Sequence, residues 1–261
     1  MTTSTGHATR PAEASEARRA VTVAGVGKTF NGLPVLADIN LSVRPGEFVC
    51  LLGASGCGKS TLLNLIAGLD TPTAGTVELA GGHAALMFQE SALFPWLTAV
   101  RNVELALRLR GGPRKDRRTE ALRLLSLVRL EHASHKRPHE LSGGMRQRVA
   151  LARALAQGSE VLLMDEPFGA LDAITRDVLH EELIRLWQHA RFSTVFVTHN
   201  VREAVRLAER VVLLTSLPGR IAREWIVDIP HPRRIEDVTV ARLSAEITEH
   251  LREEIRSHGQ T

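Results

Sequence analysis

No stretch of this 261-residue chain is apolar for long enough to cross a bilayer, since the longest runs, such as Leu62 to Leu69, stop well short of the ~20 residues required. Cysteine is almost absent. Cys50 lies in an apolar run and Cys57 in a glycine-rich loop, and neither has a C-x-x-C or histidine companion at metal-ligand spacing. Both read as reduced intracellular thiols. Residues 1–19, rich in Thr, Ala, Ser and Glu, lack the apolar core of a secretory signal and read as a disordered tail. Aromatics make up 4% of the chain, and none interleaves with the basic loop Gly111–Arg118, which Asp116 interrupts. That loop reads as solvated surface, and no nucleic-acid partner is expected.

The remaining composition is that of a globular protein, 44% hydrophobic and 24% charged, long enough for one domain with a subdomain or for two domains. A net charge of +4 suits a nucleotide, a nucleic acid or an anionic membrane surface without choosing among them.

Directly after the apolar run Phe48-Val49-Cys50-Leu51-Leu52 comes Gly53-Ala54-Ser55-Gly56-Cys57-Gly58-Lys59-Ser60-Thr61, followed by the helical pattern Leu62 to Ala67. Strand, G-x-x-x-x-G-K-S loop and helix make a phosphate-binding unit. Its glycines let backbone N–H groups converge with no Cβ in the way, and the helix start adds partial positive charge. Lys59 then reaches the β and γ phosphates, and the Ser60 hydroxyl offers a hard oxygen to Mg²⁺.

Ahead of this unit, Val21, Val23 and Val26, then Ile39, Leu41 and Val43, alternate as antiparallel strands around Asn31-Gly32. Phe30, beside that turn, either stacks on an adenine or packs in the core. Beyond Gly75, strand Thr76–Leu79 precedes Ala84–Phe88, which ends at Gln89, whose amide can touch both a metal and a nucleophilic water. The apolar segment Glu90–Val103 is the underside of a helical layer, a docking groove for another protein's helix, or both. Helical periodicity follows from Val103 to Leu109 and again through Leu122, Leu125 and Val128.

Leu141-Ser142-Gly143-Gly144-Met145 opens a further helix with Ser142 as N-cap and Met145, Val149, Ala152 and Ala156 on one side. Its two glycines offer N–H groups to a second anion. One chain rarely needs two sites for one γ-phosphate, whereas two copies facing each other use both. The run Val161–Met164 reads as a parallel strand covered on both faces, with Asp165 and Glu166 at its carboxyl end, where such sheets bind ligands. Alternation sends these two side chains opposite ways, which gives Asp165 to Mg²⁺ and Glu166 to the attacking water.

Thr194–Thr198 is another buried strand and ends at His199, whose neutral imidazole can bond both the γ-phosphate and the water. Asp172, in the turn Gly169-Ala170-Leu171-Asp172, is placed to cap a helix or bridge two subunits. Arg210–Leu214 and Ile226–Ile229 read as closing strands around Pro218-Gly219. Leu243, Ile247, Leu251 and Ile255 form the stripe of a terminal amphipathic helix over 241–261.

In their order, the loop 53–61, Gln89, Leu141–Met145, Leu163-Met164-Asp165-Glu166, Gly169–Asp172 and His199 resemble the ATP-binding cassette (ABC) family from about Ala20 to Glu209. The resemblance implies an α/β P-loop NTPase of ABC type: a mostly parallel core sheet, an antiparallel β subdomain and a helical subdomain at about 90–158, within an ATP-binding domain over 20–240. It implies an ATPase with ATP and Mg²⁺ as cofactors. Gly53, Ala54, Ser55, Gly56, Cys57, Gly58, Lys59 and Thr61 then surround the phosphates, while Ser60, Gln89 and Asp165 serve the metal. Phe30 stacks on adenine, Ser142, Gly143, Gly144 and Asp172 meet the opposite subunit's ATP, and Glu166 and Lys59 act in hydrolysis with His199 as the switch. Met145 stands where many members carry glutamine, a contact borne mostly by backbone donors.

Phe88–Thr98, Leu213–Ile221 and Asp228–Arg234 are similar to the branch importing nitrate, taurine and aliphatic sulfonates, although Gly81–Ala84 is shorter than the loop expected there. Membership implies a second copy, a transmembrane permease and, indirectly, a solute-binding protein as partners, at the cytoplasmic side of the cell (inner) membrane. The long carboxyl-terminal regulatory domain of sugar-importing members is not expected. The alternative is a soluble cassette acting on nucleic acid or a protein scaffold.

Overall fold

The computed structural model describes residues 19–258, so all of the expected tail but Arg19 lies outside them. The chain runs β1 (Val21–Phe30), β2 (Leu33–Val43), β3 (Phe48–Leu52), α1 (Lys59–Ile66), β4 (Ala74–Leu79), β5 (Ala85–Met87), α2 (Ala99–Leu109) and α3 (Arg117–Leu127). It continues through α4 (Gly143–Ala156), β6 (Val161–Asp165), α5 (Ala173–Ala190), β7 (Ser193–Thr198), α6 (Val201–Leu207), β8 (Arg210–Leu214), β9 (Ile221–Ile226) and α7 (Val238–His258).

Two sheets result. β2-β1-β4 is antiparallel, its hairpin closed by Asn31 and Gly32 at φ +48° and +82°, the two left-handed residues that a tight hairpin turn favours. The larger sheet has the order β5-β6-β7-β3-β8-β9 and is parallel except at its β8–β9 edge.

The continuous apolar runs of β3, β6 and β7 have a direct cause: two cores, one on each face. Phe48, Cys50 and Leu52 point into the core shared with the helical layer, while Val49 and Leu51 point into the core shared with α1 and the antiparallel sheet. Leu162 and Met164 divide from Val161 and Leu163 in the same way. The five parallel strands β5, β6, β7, β3 and β8 deliver their carboxyl ends to one edge, where loops can gather around a ligand.

The closing strand differs from the expectation. It spans Ile221–Ile226, pairing Leu214 with Ile221 and Arg210 with Ile226, so only Ile226 of the expected 226–229 belongs to it. As the edge strand it exposes Ala222, Arg223 and Glu224, and this polar stretch carries no buried alternation to reveal it. The helix expected from Val103 begins at Ala99, capped by the Thr98 hydroxyl.

Glu47 and Arg210 tie the sheets together. Glu47, 3% exposed, accepts from Arg44 N at 2.8 Å and from Arg210 Nε at 2.9 Å, while Arg210 also reaches the Ser42 carbonyl and, at 2.8 Å, Glu224. Burial pushes the Glu47 carboxyl up, but the Arg44 N–H and the Arg210 guanidinium outweigh it and hold the group below its ordinary 4.5. A carboxyl lowered in the folded state stabilises fully above its unfolded pKa, and that contribution is lost as pH falls through the folded value. Arg210→Ala leaves a buried carboxylate short of its partner and is expected to cost roughly 3 kcal/mol at neutral pH. Urea unfolding at neutral and acid pH checks this, with the difference between wild type and variant shrinking as Glu47 becomes protonated.

Candidate active site

The loop between β3 and α1 is shaped by its glycines. Gly58 has φ +95°, and a Cβ there would lie 2.6 Å from Leu36 Cδ2. A Cβ on Gly53 would lie 2.6 Å from Cys57 Sγ, whereas Gly56, at φ +82°, opens onto free space. Lys59, only 6% exposed, turns its Nζ back to donate to the carbonyls of Gly53 at 2.9 Å and Ala54 at 2.8 Å. Ser55, Gly56, Gly58, Lys59, Ser60 and Thr61 line a cavity of about 390 Å³ together with Val35, Gln89, Asp165 and Glu166. Cys57 is buried beneath the loop, and burial pushes its thiol up against the pull of Lys59.

Asp165 ends β6 and Glu166 follows at φ +43°. Alternation predicts opposite directions for the two carboxylates, but the left-handed residue ends the strand, and both side chains line the same cavity. The expected separation is therefore corrected: alternation holds only inside a strand. Holding a non-glycine residue in this region costs on the order of 1 kcal/mol, a strain concentrated at functional positions. Burial raises the Asp165 carboxyl, opposed by the Ser60 hydroxyl, aided by the Glu166 charge and opposed again by Lys59. Glu166 N donates to Val197 O at 3.0 Å, and His199 Nδ1 lies 3.0 Å from Glu166 Oε2.

Two residues behind His199 are missed by sequence reasoning. Thr198 Oγ1 donates to Glu203 Oε2, and Glu203 Oε1 lies 2.6 Å from His180 Nε2. The His180 ring packs edgewise on Phe168 at 5.5 Å, two residues past Glu166, so one buried network touches the segments carrying both Glu166 and His199. The available signals are Asn200-x-x-Glu203, a helix-start pattern, and a histidine on the apolar face of α5 beside Leu179 and Leu183. Glu203→Ala is expected to lower ATPase about tenfold with ATP affinity unchanged, since buried partners left unpaired shift position. Steady-state rates alongside nucleotide binding check it, and an unchanged rate would remove Glu203 from any positioning role.

The remaining expected residues are spread around this centre. Gln89 follows β5, accepts from Gln147 Nε2 at 2.7 Å through its carbonyl, and borders both the loop cavity and a second one of about 520 Å³ that Gly143 also lines. Ser142 caps α4 by accepting from Met145 N at 3.3 Å, and a Cβ on Gly144 would lie 2.5 Å from Thr175 Cγ2. Asp172 caps α5 by accepting from Thr175 N at 3.0 Å. Ser142, Gly143, Gly144 and Asp172 do not join the loop cavity within one chain. Phe30 also lies outside its lining and is 45% exposed, with Lys28 Nζ 4.8 Å from the ring centroid, so the core alternative is set aside.

The segment 90–103 contributes to the core, as one of the two expected readings has it, and leaves two aromatics at the surface. Ala99, Val100 and Val103 are buried in the core, whereas Phe94 and Trp96 stay exposed with their rings 5.5 Å apart. Asn102 fixes them by bonding Phe94 N at 2.8 Å and the carbonyls of Phe94, Leu97 and Thr98.

A mostly parallel sheet feeding a glycine-rich lysine loop, with an acidic strand end beside it, defines a P-loop nucleotide-binding cassette. The ABC transporter family matches residues 36–169, and the chain belongs to that family as its ATPase cassette. It is 50% identical over 212 residues to the nitrate import ATP-binding protein of Synechocystis, covering 78% of this chain and 79% of that protein. It is 47% identical over 249 residues to an aliphatic sulfonates import ATP-binding protein of Mesorhizobium japonicum, covering 93% of this chain and 92% of the relative. Among solved structures it is similar to a dimeric post-hydrolysis ATP-binding cassette bound to ADP and Pi, with TM-score 0.70, 35% identity and coverage of 80% of this chain and 100% of that one. Among the described residues no helix is long and apolar enough to cross a membrane.

Proposed function

We propose that the chain is the ATP-hydrolysing, energy-coupling subunit of an importer for a small oxyanion, with an aliphatic sulfonate as first candidate. The observation that carries the hydrolytic part is one cavity lined by Lys59, Ser60, Asp165 and Glu166, with His199 Nδ1 3.0 Å from Glu166 Oε2. Support for the sulfonate comes from the relative matched over the larger share of both chains.

The phosphate loop, Gly53 to Thr61, binds the triphosphate through its N–H groups and Lys59. Ser60, Gln89 and Asp165 each offer a hard oxygen and would hold Mg²⁺, which would supply charge neutralisation for the triphosphate. Glu166 takes the proton of the attacking water, and His199 orients that water and the γ-phosphate. Phe30, on the surface, stacks on adenine. Ser142, Gly143, Gly144 and Asp172 sit away from the loop cavity because they serve the triphosphate of a second copy.

The cassette spans 20–240 with its helical subdomain at about 90–158, and the terminal helix expected from 241 is α7, which starts at Val238. It works peripherally on the cytoplasmic side of the cell (inner) membrane, beneath a permease that docks on Phe94 and Trp96 and is fed by a solute-binding protein. ATPase assays of the reconstituted complex test this. Stimulation by alkanesulfonates is expected; stimulation only by nitrate or bicarbonate would reassign the solute, and stimulation by DNA or RNA without permease would overturn the transport role.

A further inference from the structure

α5, α6 and the segment 231–234 line a cavity of about 380 Å³ that shares no lining residue with the phosphate-loop cavity. Arg185 comes from α5, Arg206 from α6, and Arg233 and Arg234 from the segment after β9. Four arginines thus line the cavity against one carboxylate residue, Glu181. Arg185 meets Glu181 at 3.5 Å, and Arg206 meets Asp177 at 2.5 Å and Glu181 at 3.7 Å. Arg234 has no side-chain hydrogen bond or ion pair among the described residues.

Arg233 is more telling. It is 5% exposed, and its guanidinium donates only to the carbonyls of Ile229, Val205, Ala208 and Val227, at 2.6 to 3.1 Å. No carboxylate lies within ion-pair distance among the described residues, although the Glu209 charge acts from farther away. Burial lowers its pKa to about 10, which leaves it charged at neutral pH. A buried cation fixed by carbonyls alone keeps a positive field that a counter-ion would stabilise. Beside it, burial and the Arg233 charge hold His231 at about 4, so its ring is neutral, and its Nε2 has no hydrogen-bond partner among the described residues.

We propose that this cavity is a binding site for a free tetrahedral oxyanion of the sulfate or phosphate class. Arginines from three separate elements line the cavity, Arg234 among them without a side-chain partner among the described residues, and guanidinium N–H donors suit a small ion with several charged acceptor oxygens. Nothing in this site is shared with the phosphate-loop cavity.

The test is calorimetric titration of sulfate, and separately inorganic phosphate, into the full chain with its phosphate loop saturated by Mg·ADP. The expected result is saturable binding weakened at least tenfold in the Arg185→Ala/Arg234→Ala double variant, whose ADP affinity stays that of wild type. His231 ring-proton resonances should shift with sulfate in the wild type and stay still in the variant. Both substituted residues are exposed, so folding should be retained. Absence of binding, or equal binding in both proteins, overturns the site. Phosphatidylglycerol vesicles form a second arm: vesicle binding that needs the same arginines, without binding of either free ion, assigns the cavity to a lipid headgroup and overturns the free-ion site.

Discussion

Replacing Glu166 with glutamine is expected to lower ATP turnover by about 10²-fold or more while leaving ATP binding in place. The substitution keeps the side chain's shape and its reach toward His199 Nδ1, at 3.0 Å in the wild type, but replaces a carboxylate that can take a proton from water with an amide too weakly basic to do so. Asp165, in the same cavity, cannot take over, because it ends β6 and is engaged with the Ser60 hydroxyl. Single-turnover hydrolysis and nucleotide binding measured on the same preparation separate the effects: kcat should collapse with the dissociation constant for ATP little changed. Near-normal turnover would take Glu166 out of the chemistry.

Lys59→Ala is expected to act on the other half of that division, weakening ATP binding roughly 10²-fold and lowering kcat/KM at least as far. Its Nζ is a buried cation held by the Gly53 and Ala54 carbonyls, the two groups at the mouth of the loop. A charge positioned this way is largely desolvated, so its attraction for a polyphosphate is stronger than that of a surface lysine. Losing it also leaves two carbonyls without a donor, and the loop should relax from its inward curl. Equilibrium binding of a fluorescent ATP analogue checks this. Wild-type affinity in the variant would mean that backbone N–H groups alone hold the phosphates.

The phosphate loop was legible because everything it needs lies in nine consecutive residues, Gly53 to Thr61, with a buried strand before and a helix after. β3, β6 and β7 were legible because burial on both faces leaves an unbroken apolar run. Helix starts at Ser142 and Asp172 were visible because a cap is a local hydrogen bond. β9 was hidden by its edge position, where exposed Arg223 and Glu224 imitate a loop. The sharing of one cavity by Asp165 and Glu166 depends on a single positive φ, which hydrophobic alternation does not encode. The Thr198–Glu203–His180 network joins groups on two helices and a strand, and the arginine cavity gathers side chains from three separate segments. Tertiary meetings of this kind have no local period to betray them.

Ser142, Gly143, Gly144 and Asp172 stand apart from the Lys59 cavity within one chain, and the proposed function has them complete the site of a second copy. Light scattering of the Glu166→Gln variant with and without Mg·ATP measures this directly. The mass should double with ATP, and adding Ser142→Arg should abolish the doubling while each chain still binds nucleotide. A Glu166→Gln protein that remains a single chain at saturating ATP would contradict the composite site.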